Sequence, residues 1–194
     1  MEQSKITKAA LWWHRFRNKN KANNKSLGVS NNGEVPKSFL IILPEHSTEA
    51  DLANRFISSM KNALGPKRSK QIKILGSSVV GNLLDLNEFH DFILYTEEDL
   101  NKLGLPDKEL ISACNQIEVD AVLDLNQDFS SISATLCAEV PAPLKLGFYS
   151  DQGESYYNIM FRRTGEELAE SGFKEIFQII GIGRIFTFLK IKNL

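Results

Sequence analysis

The stretch Val119–Phe148, VDAVLDLNQDFSSISATLCAEVPAPLKLGF, decides the fold class of this chain. It opens with a run of β-branched and apolar residues up to Leu125, which is typical of a buried strand. Asp128 stands where a helix N-cap is expected, in front of a short amphipathic helix. A turn with two prolines then leads to a second strand, Leu144–Phe148. This strand–helix–strand order predicts a parallel α/β sheet.

The same alternation of strands and helices continues on both sides of that stretch. Helix-start patterns at Thr48–Asp51, Thr96–Asp99 and Thr164–Glu167 predict helices between the strands. We expect a three-layer Rossmann-like domain with a mainly parallel sheet over residues 38–194. Apart from the two strands above, the apolar runs that predict strands are Phe39–Leu43, Gln71–Leu75, Phe92–Tyr95 and Tyr156–Phe161.

Charge is distributed unevenly along the 194 residues, although the net charge is only −1. Residues 1–25 carry seven basic side chains and one acidic side chain, a net charge of +6, and the rest carries −7. With 42% hydrophobic and 24% charged residues, the composition fits one globular domain with a full core. A basic arm on an acidic body predicts that the arm meets an anionic partner or the body itself.

Residues 1–37 are predicted to form a basic amphipathic helix followed by a flexible linker. The two tryptophans and Phe16 are costly to leave in water, so they must bury against a partner, a lipid interface or the body. Tryptophan beside lysine and arginine suits an anionic membrane surface, and the Asn/Lys-rich continuation suits RNA phosphates, as on a ribosome. A protein partner and docking on the chain's own body are the alternatives. The candidate residues for binding an anionic surface are Lys5, Lys8, Trp12, Trp13, Arg15, Arg17, Lys19 and Lys21.

The chain has two cysteines, Cys114 and Cys137, which we interpret as buried thiols in a reducing compartment. No metal-ligand spacing and no cofactor motif is present, so neither a metal nor a cofactor is expected. No secretory signal and no apolar run of spanning length is visible. These patterns predict a cytoplasmic protein, with peripheral attachment at the inner membrane as an option through the arm.

Ligands of open α/β sheets bind beyond the carboxyl ends of the strands, which gives a short set of candidate residues. Five of them have a structural alternative: a solvated loop for Glu45 and His46, a plain turn for Ser77 and Ser78, and a helix cap for Asp128. Asp124, inside a predicted strand, is interpreted as an acceptor of hydrogen bonds. No catalytic residue is predicted. The candidates for ligand binding are Glu45, His46, Ser77, Ser78, Asn126 and Asp128.

The segments VDAVLDL and APLKLGF within Val119–Phe148 resemble the end of the N-terminal domain of heptosyltransferase-like glycosyltransferases. In those enzymes the second of these strands borders the acceptor cleft. More broadly, Phe92–Ile180, together with the segment DFILYTEEDLNKLGLP that overlaps its start, resembles a family of uncharacterised bacterial domains. Both resemblances imply a Rossmann-like fold, and the second implies no assigned activity.

The chain departs from the glycosyltransferase pattern at its first strand. Those enzymes have a Gly-Asp pair there whose acidic residue serves as catalytic base, whereas this chain has Pro44-Glu45-His46-Ser47. The 194 residues also hold no counterpart of the domain that binds the nucleotide sugar. We therefore expect a non-catalytic binding or adaptor domain whose basic arm engages an anionic surface. The alternative is a reduced glycosyltransferase-like domain that binds a sugar or nucleotide at its strand ends.

Overall fold

A computed structural model describes residues 35–161 and 176–181 of the chain. A six-stranded sheet runs through it in the order β3-β2-β1-β4-β5-β6, and every neighbouring pair of strands is parallel. This architecture confirms the predicted Rossmann-like α/β fold. The strands are β1 (Phe39–Ile42), β2 (Ile72–Ser77), β3 (Phe92–Tyr95), β4 (Ala121–Asp124), β5 (Leu144–Phe148) and β6 (Ile159–Phe161).

The central strands β1 and β4 are completely buried, as expected for a parallel sheet covered by helices on both faces. They pair from Phe39↔Ala121 to Ile42↔Asp124, so the last residues of both strands lie side by side. All six predicted strands are present. β2 begins one residue later than predicted and extends to Ser77, and β6 is shorter than the predicted Tyr156–Phe161.

Helices cover the sheet on two sides. The helices are α1 (Ala50–Arg68), α2 (Ser78–Gly81), α3 (Lys108–Asn115) and α4 (Ser131–Glu139), and residues 176–179 are also helical. On one face, Phe56 of α1 stacks on Phe177 with ring centroids 5.1 Å apart. On the other face, Cys114 of α3 and Cys137 of α4 pack with Leu40 of β1. Both cysteines are buried and free, as predicted, and burial raises the pKa of the Cys114 thiol to about 12.

The prediction of a helix after Thr96 is wrong. After Thr96 the chain makes only a 3-10 turn, Glu97–Asp99, although the Asp99 carboxylate does accept the Thr96 N–H at 2.7 Å. The chain then forms an antiparallel bridge between Leu100 and Pro106, which ends the helix before it can grow. The sequence also predicts that Gly65-Pro66 ends the helix before it, and the structure confirms this. Gly65 has a φ of 73°, outside the helical region, and a separate helical turn leads on to Arg68.

The described chain begins at the amino edge of the sheet, the edge at which the parallel strands start. The Asp120 carboxylate accepts the N–H groups of Lys37 at 2.7 Å and Ser38 at 3.0 Å. Arg68 Nη2 donates to the Pro36 carbonyl at 3.0 Å. Burial opposes ionisation of Asp120, but these hydrogen bonds outweigh it and lower its pKa. The last residues of the predicted linker are therefore fixed to the body rather than flexible.

Several predictions fall on residues that the structure does not describe: the amphipathic helix and most of the linker in residues 1–34, and the helix start at Thr164–Glu167. Among residues 35–161 and 176–181, no helix has both the length and the apolar character needed to cross a bilayer.

Candidate functional site

The two central strands β1 and β4 send their crossovers to opposite sides, so a crevice is expected where their carboxyl ends meet. Two predicted candidates lie together there, because the Glu45 N–H donates to Asn126 Oδ1 at 2.9 Å. Asn126 Nδ2 also donates to the Leu43 carbonyl at 3.2 Å. Asn126 thus ties the end of β4 to the end of β1.

Asp124, the last residue of β4, is the centre of the polar contacts beneath this crevice. Its Oδ1 accepts the Asn126 N–H at 3.0 Å and Nδ2 at 2.8 Å. Its Oδ2 accepts the Tyr157 hydroxyl at 2.6 Å and the Ser133 hydroxyl. Burial raises the pKa of Asp124, and the four hydrogen bonds act in the opposite direction. Each oxygen has two donors, which is how a protein satisfies a carboxylate that water cannot reach.

Glu45 connects the crevice to the start of α4. The Ser130 hydroxyl donates to Glu45 Oε1, and the same Ser130 oxygen accepts the Ser133 N–H at 2.9 Å as the N-cap of α4. Burial raises the pKa of Glu45, the Ser130 bond opposes this, and the charge of Asp124 adds to it. The side chain of Glu45 therefore takes a position at the N-terminus of α4 where negative charge is favoured.

The other predicted candidates are not part of this cluster. His46 and Asp128 are exposed. Ser77 caps α2 by accepting the Val79 N–H at 3.2 Å, and Ser78 is the first residue of that helix. Asp128 does not cap α4, contrary to prediction, because Ser130 directly precedes the first helical residue and has the extended backbone of an N-cap.

Asp124 accepts hydrogen bonds, as the sequence predicts, while three other residues of the cluster, Ser130, Ser133 and Tyr157, are absent from the predictions. Ser130 could have been found, because a serine that precedes a helical run is a standard cap signal. Tyr157 lies 33 residues after Asp124, and only the folded chain brings them together. A further tyrosine, Tyr95 at the end of β3, has its pKa raised by burial first and then by the charges of Glu45 and Asp124.

The segments that follow β1, β3, β4 and β5 are strongly acidic. In residues 43–49, 96–107, 125–130 and 149–154, Lys102 is the single lysine or arginine. Such an edge repels phosphate and favours hydroxyl groups or cations. Within the part of the chain that the structure describes, no three His, Cys, Asp or Glu side chains are grouped so that they could hold a metal ion. The nine acidic residues are Glu45, Glu49, Glu97, Glu98, Asp99, Asp107, Asp128, Asp151 and Glu154.

Comparisons with known proteins agree with the fold. A family model described as "Family of unknown function (DUF6913)" matches residues 12–182. No curated protein matches the chain. Among solved structures, the chain is similar to the glycosyl transferase family 9 from Veillonella parvula DSM 2008, with a TM-score of 0.53 and 14% identity. The alignment covers 75% of this chain and 41% of that one, so this chain spans less than half of the solved protein. The distant structural similarity to a glycosyltransferase supports the resemblance found in the sequence, and at this identity it concerns the fold alone.

Proposed function

The chain belongs to DUF6913, a family of unknown function, and we propose that it is a non-catalytic binding domain whose basic N-terminal arm engages a negatively charged surface. The separation of charge carries this proposal. Residues 35–161 hold 10 basic and 18 acidic side chains, whereas residues 1–25 have a net charge of +6. An acidic body repels phosphate-bearing surfaces, so the attraction must come from the arm.

The position of the arm supports the same proposal. The chain enters the body at the amino edge of the sheet, where Asp120 holds Lys37 and Ser38. The acidic segments follow the strands and lie at the opposite, carboxyl edge. The arm is thus attached on the side of the domain away from these acidic segments, and an anionic surface bound near that side meets little repulsion.

The chemistry of the carboxyl edge supports a non-catalytic role. A general acid or base must reach the proton that it transfers. Asp124 is buried and holds four hydrogen bonds within the chain. Glu45 is engaged by Ser130. These contacts explain both carboxylates as a structural link between β1, β4 and α4.

Co-sedimentation of the full chain with ribosomes and with anionic vesicles tests the arm. One variant replaces four arm residues by glutamine, and its matched control replaces four exposed lysines of the body. We expect the arm variant to lose sedimentation with one of the two surfaces and the control to keep it. If the unaltered chain binds neither ribosomes nor anionic vesicles, the proposal is wrong. The arm variant changes Lys5, Lys8, Arg15 and Arg17, and the control changes Lys67, Lys70, Lys102 and Lys108.

A second candidate is a domain that binds a sugar at the crevice between β1 and β4. The position of Glu45 and Asn126 after β1 and β4 favours it, because carboxylate and amide groups at a switch point suit sugar hydroxyls. The acidic segments favour a free sugar over a nucleotide sugar. Thermal-shift measurements with sugars and nucleotide sugars at millimolar concentration test it. Stabilisation by a sugar that the Glu45→Gln variant loses supports the candidate, and no shift with any ligand counts against it.

A further inference from the structure

A groove of about 460 Å³ opens at the amino edge of the sheet, on the face that α3 covers. Its apolar side is formed by the sheet and the end of α3, and its rim is polar. Lys73 on the rim pairs with Asp91 at 3.2 Å, which balances their charges. The volume lies within the range of about 300–1,000 Å³ that is common for ligand clefts. Residues that line the groove include Leu40, Lys73, Asp91, Phe92, Ala113 and Ile117.

The groove exists because α3 is short. α3 ends at Asn115, and its last turn stands above the first residues of β2 and β3. Phe92, the first residue of β3, remains 49% exposed there, although most large apolar side chains of the described chain are buried. The carboxyl end of α3 also presents carbonyl oxygens, which favour positive charge nearby. An occupant with apolar rings and basic side chains fits both properties.

The chain itself supplies such an occupant close to the groove. Its described part begins at Val35, and Lys37 and Ser38 are fixed at the same amino edge. The 34 preceding residues include both tryptophans of the chain, Trp12 and Trp13, flanked by lysine and arginine. Those rings are costly to leave in water.

The length of the arm permits the contact. Seventeen residues, 18–34, separate the aromatic segment from the start of the described chain at Val35. A flexible chain of this length spans about 20–25 Å on average and up to about 56 Å when extended. The groove reaches from Leu40 of β1 to β3, which lies two strand spacings of about 4.8 Å from β1. A tethered segment within such reach is present at an effective concentration in the millimolar range.

We propose that residues 4–17 dock in this groove of their own chain, with Trp12 and Trp13 against its apolar side. The docked arm is then held back from other surfaces, and an anionic partner must displace it before it can bind. Docking does not require the proposed function, because it is measured with no anionic partner present.

Intrinsic fluorescence tests the docking directly, because the chain has no tryptophan outside the arm. Ala113→Arg fills the groove with a long side chain and keeps a residue of high helix propensity. Ser112→Arg adds the same charge at the exposed neighbouring position of α3 and is the matched control. We expect blue-shifted emission and weak acrylamide quenching for the unaltered chain and for Ser112→Arg. Ala113→Arg should show red-shifted emission and severalfold stronger quenching.

Each other outcome overturns the proposal. Quenching of the unaltered chain as strong as that of a peptide of residues 1–25 shows that the tryptophans are not docked. Protected tryptophans in Ala113→Arg place them outside the groove. Protection that disappears on dilution shows docking on a second copy. Circular dichroism and urea unfolding of both variants test whether the body is folded. If Ala113→Arg is unfolded, Phe92→Ser takes its place, because it removes an aromatic ring from the apolar side of the groove. Phe92→Ser must then give the same loss of tryptophan protection.

Discussion

The hydroxyl of Tyr157 donates a 2.6 Å hydrogen bond to the carboxylate of Asp124, joining the crossover before β6 to the last residue of β4. The ring of Tyr157 reaches this position across Gly147 of β5. A Cβ atom at residue 147 would stand 2.9 Å from three ring atoms, closer than side chains tolerate. The bond therefore depends on a glycine in the strand between its two partners.

Gly147→Ala should destabilise the fold by about 2 kcal/mol, because overpacking forces the Tyr157 ring off its site. Urea unfolding of four chains measures this: the unaltered chain, Gly147→Ala, Tyr157→Ala and the double variant. We expect the alanine at 147 to cost much less when the ring at 157 is absent. Equal costs in both backgrounds would show that the ring does not set the requirement for glycine.

Asp124→Ala should cost about 3 kcal/mol of folding free energy, since it removes the acceptor of four hydrogen bonds from Asn126, Ser133 and Tyr157. The matched control is Asp128→Ala, four residues further along the same edge, whose exposed side chain should contribute no more than about 0.5 kcal/mol. Urea unfolding compares the two. A small effect at Asp124 would mean that water enters and satisfies the donors.

Glu45→Gln should change how stability depends on pH. Burial raises the pKa of Glu45 above its ordinary 4.5, so the folded chain holds this proton more tightly than the unfolded chain. The stability that Glu45 contributes is therefore complete below pH 4.5 and is lost as pH rises through the folded pKa. Glutamine does not ionise, so the variant does not lose this stability. At neutral pH we expect its free energy of unfolding to exceed that of the unaltered chain by about 1 kcal/mol or less. Urea unfolding from pH 4 to 8 measures it, with the exposed Glu97→Gln as control.

Asp120→Ala should release the fixed end of the arm. Its pKa is lowered, so its contribution is present above the ordinary value of 3.8 and is lost as pH falls through the folded pKa. Hydrogen exchange at the amides of Lys37 and Ser38 should speed up by about tenfold or more, as expected from losing a charge-assisted hydrogen bond of about 1.5 kcal/mol or more. Glu118→Gln, an exposed neighbour, should leave both amides protected. Unchanged exchange in Asp120→Ala would contradict the anchoring role.

The two cysteines should resist thiol reagents in the folded protein. Cys114 and Cys137 are both fully buried, and burial raises the pKa of each thiol. Reaction with a disulfide reagent should therefore follow the rate of unfolding, and two thiols per chain should react at once in urea. Rapid native labelling of either residue would place it at the surface.

The strands could be predicted because a buried parallel strand leaves a local signal. The run at Phe39 and the run at Phe92 are short, apolar and bounded by polar or turn residues, so each can be recognised without its neighbours. That no α-helix directly follows Thr96 could not be predicted from the local pattern. The capping contact does form, but a bridge from Leu100 to Pro106 competes with helix growth, and that pairing is not a periodic pattern.

Part of the candidate site can be predicted because some of its residues follow strands that leave a local signal. Glu45 and Asn126 follow strands directly, so topology alone places them together. Ser133 and Tyr157 join through contacts with Asp124 that depend on how a helix and a distant crossover pack. The groove at the amino edge has no sequence signal, since it arises from where α3 ends.

The order of the strands also dictates a sequence of events during folding. β1, β2 and β3 are consecutive in the chain and can pair as soon as residues 39–95 are made. β4 begins only at residue 121 and pairs with the second edge of β1. Until then that edge has no partner, and the side chains of β1 are all apolar. Non-local parallel pairing of this kind is slow, and meanwhile the unpaired apolar strand can pair with other chains. Newly made protein is thus most prone to aggregate at the halfway stage, and slowing synthesis between residues 95 and 124 should lower its yield.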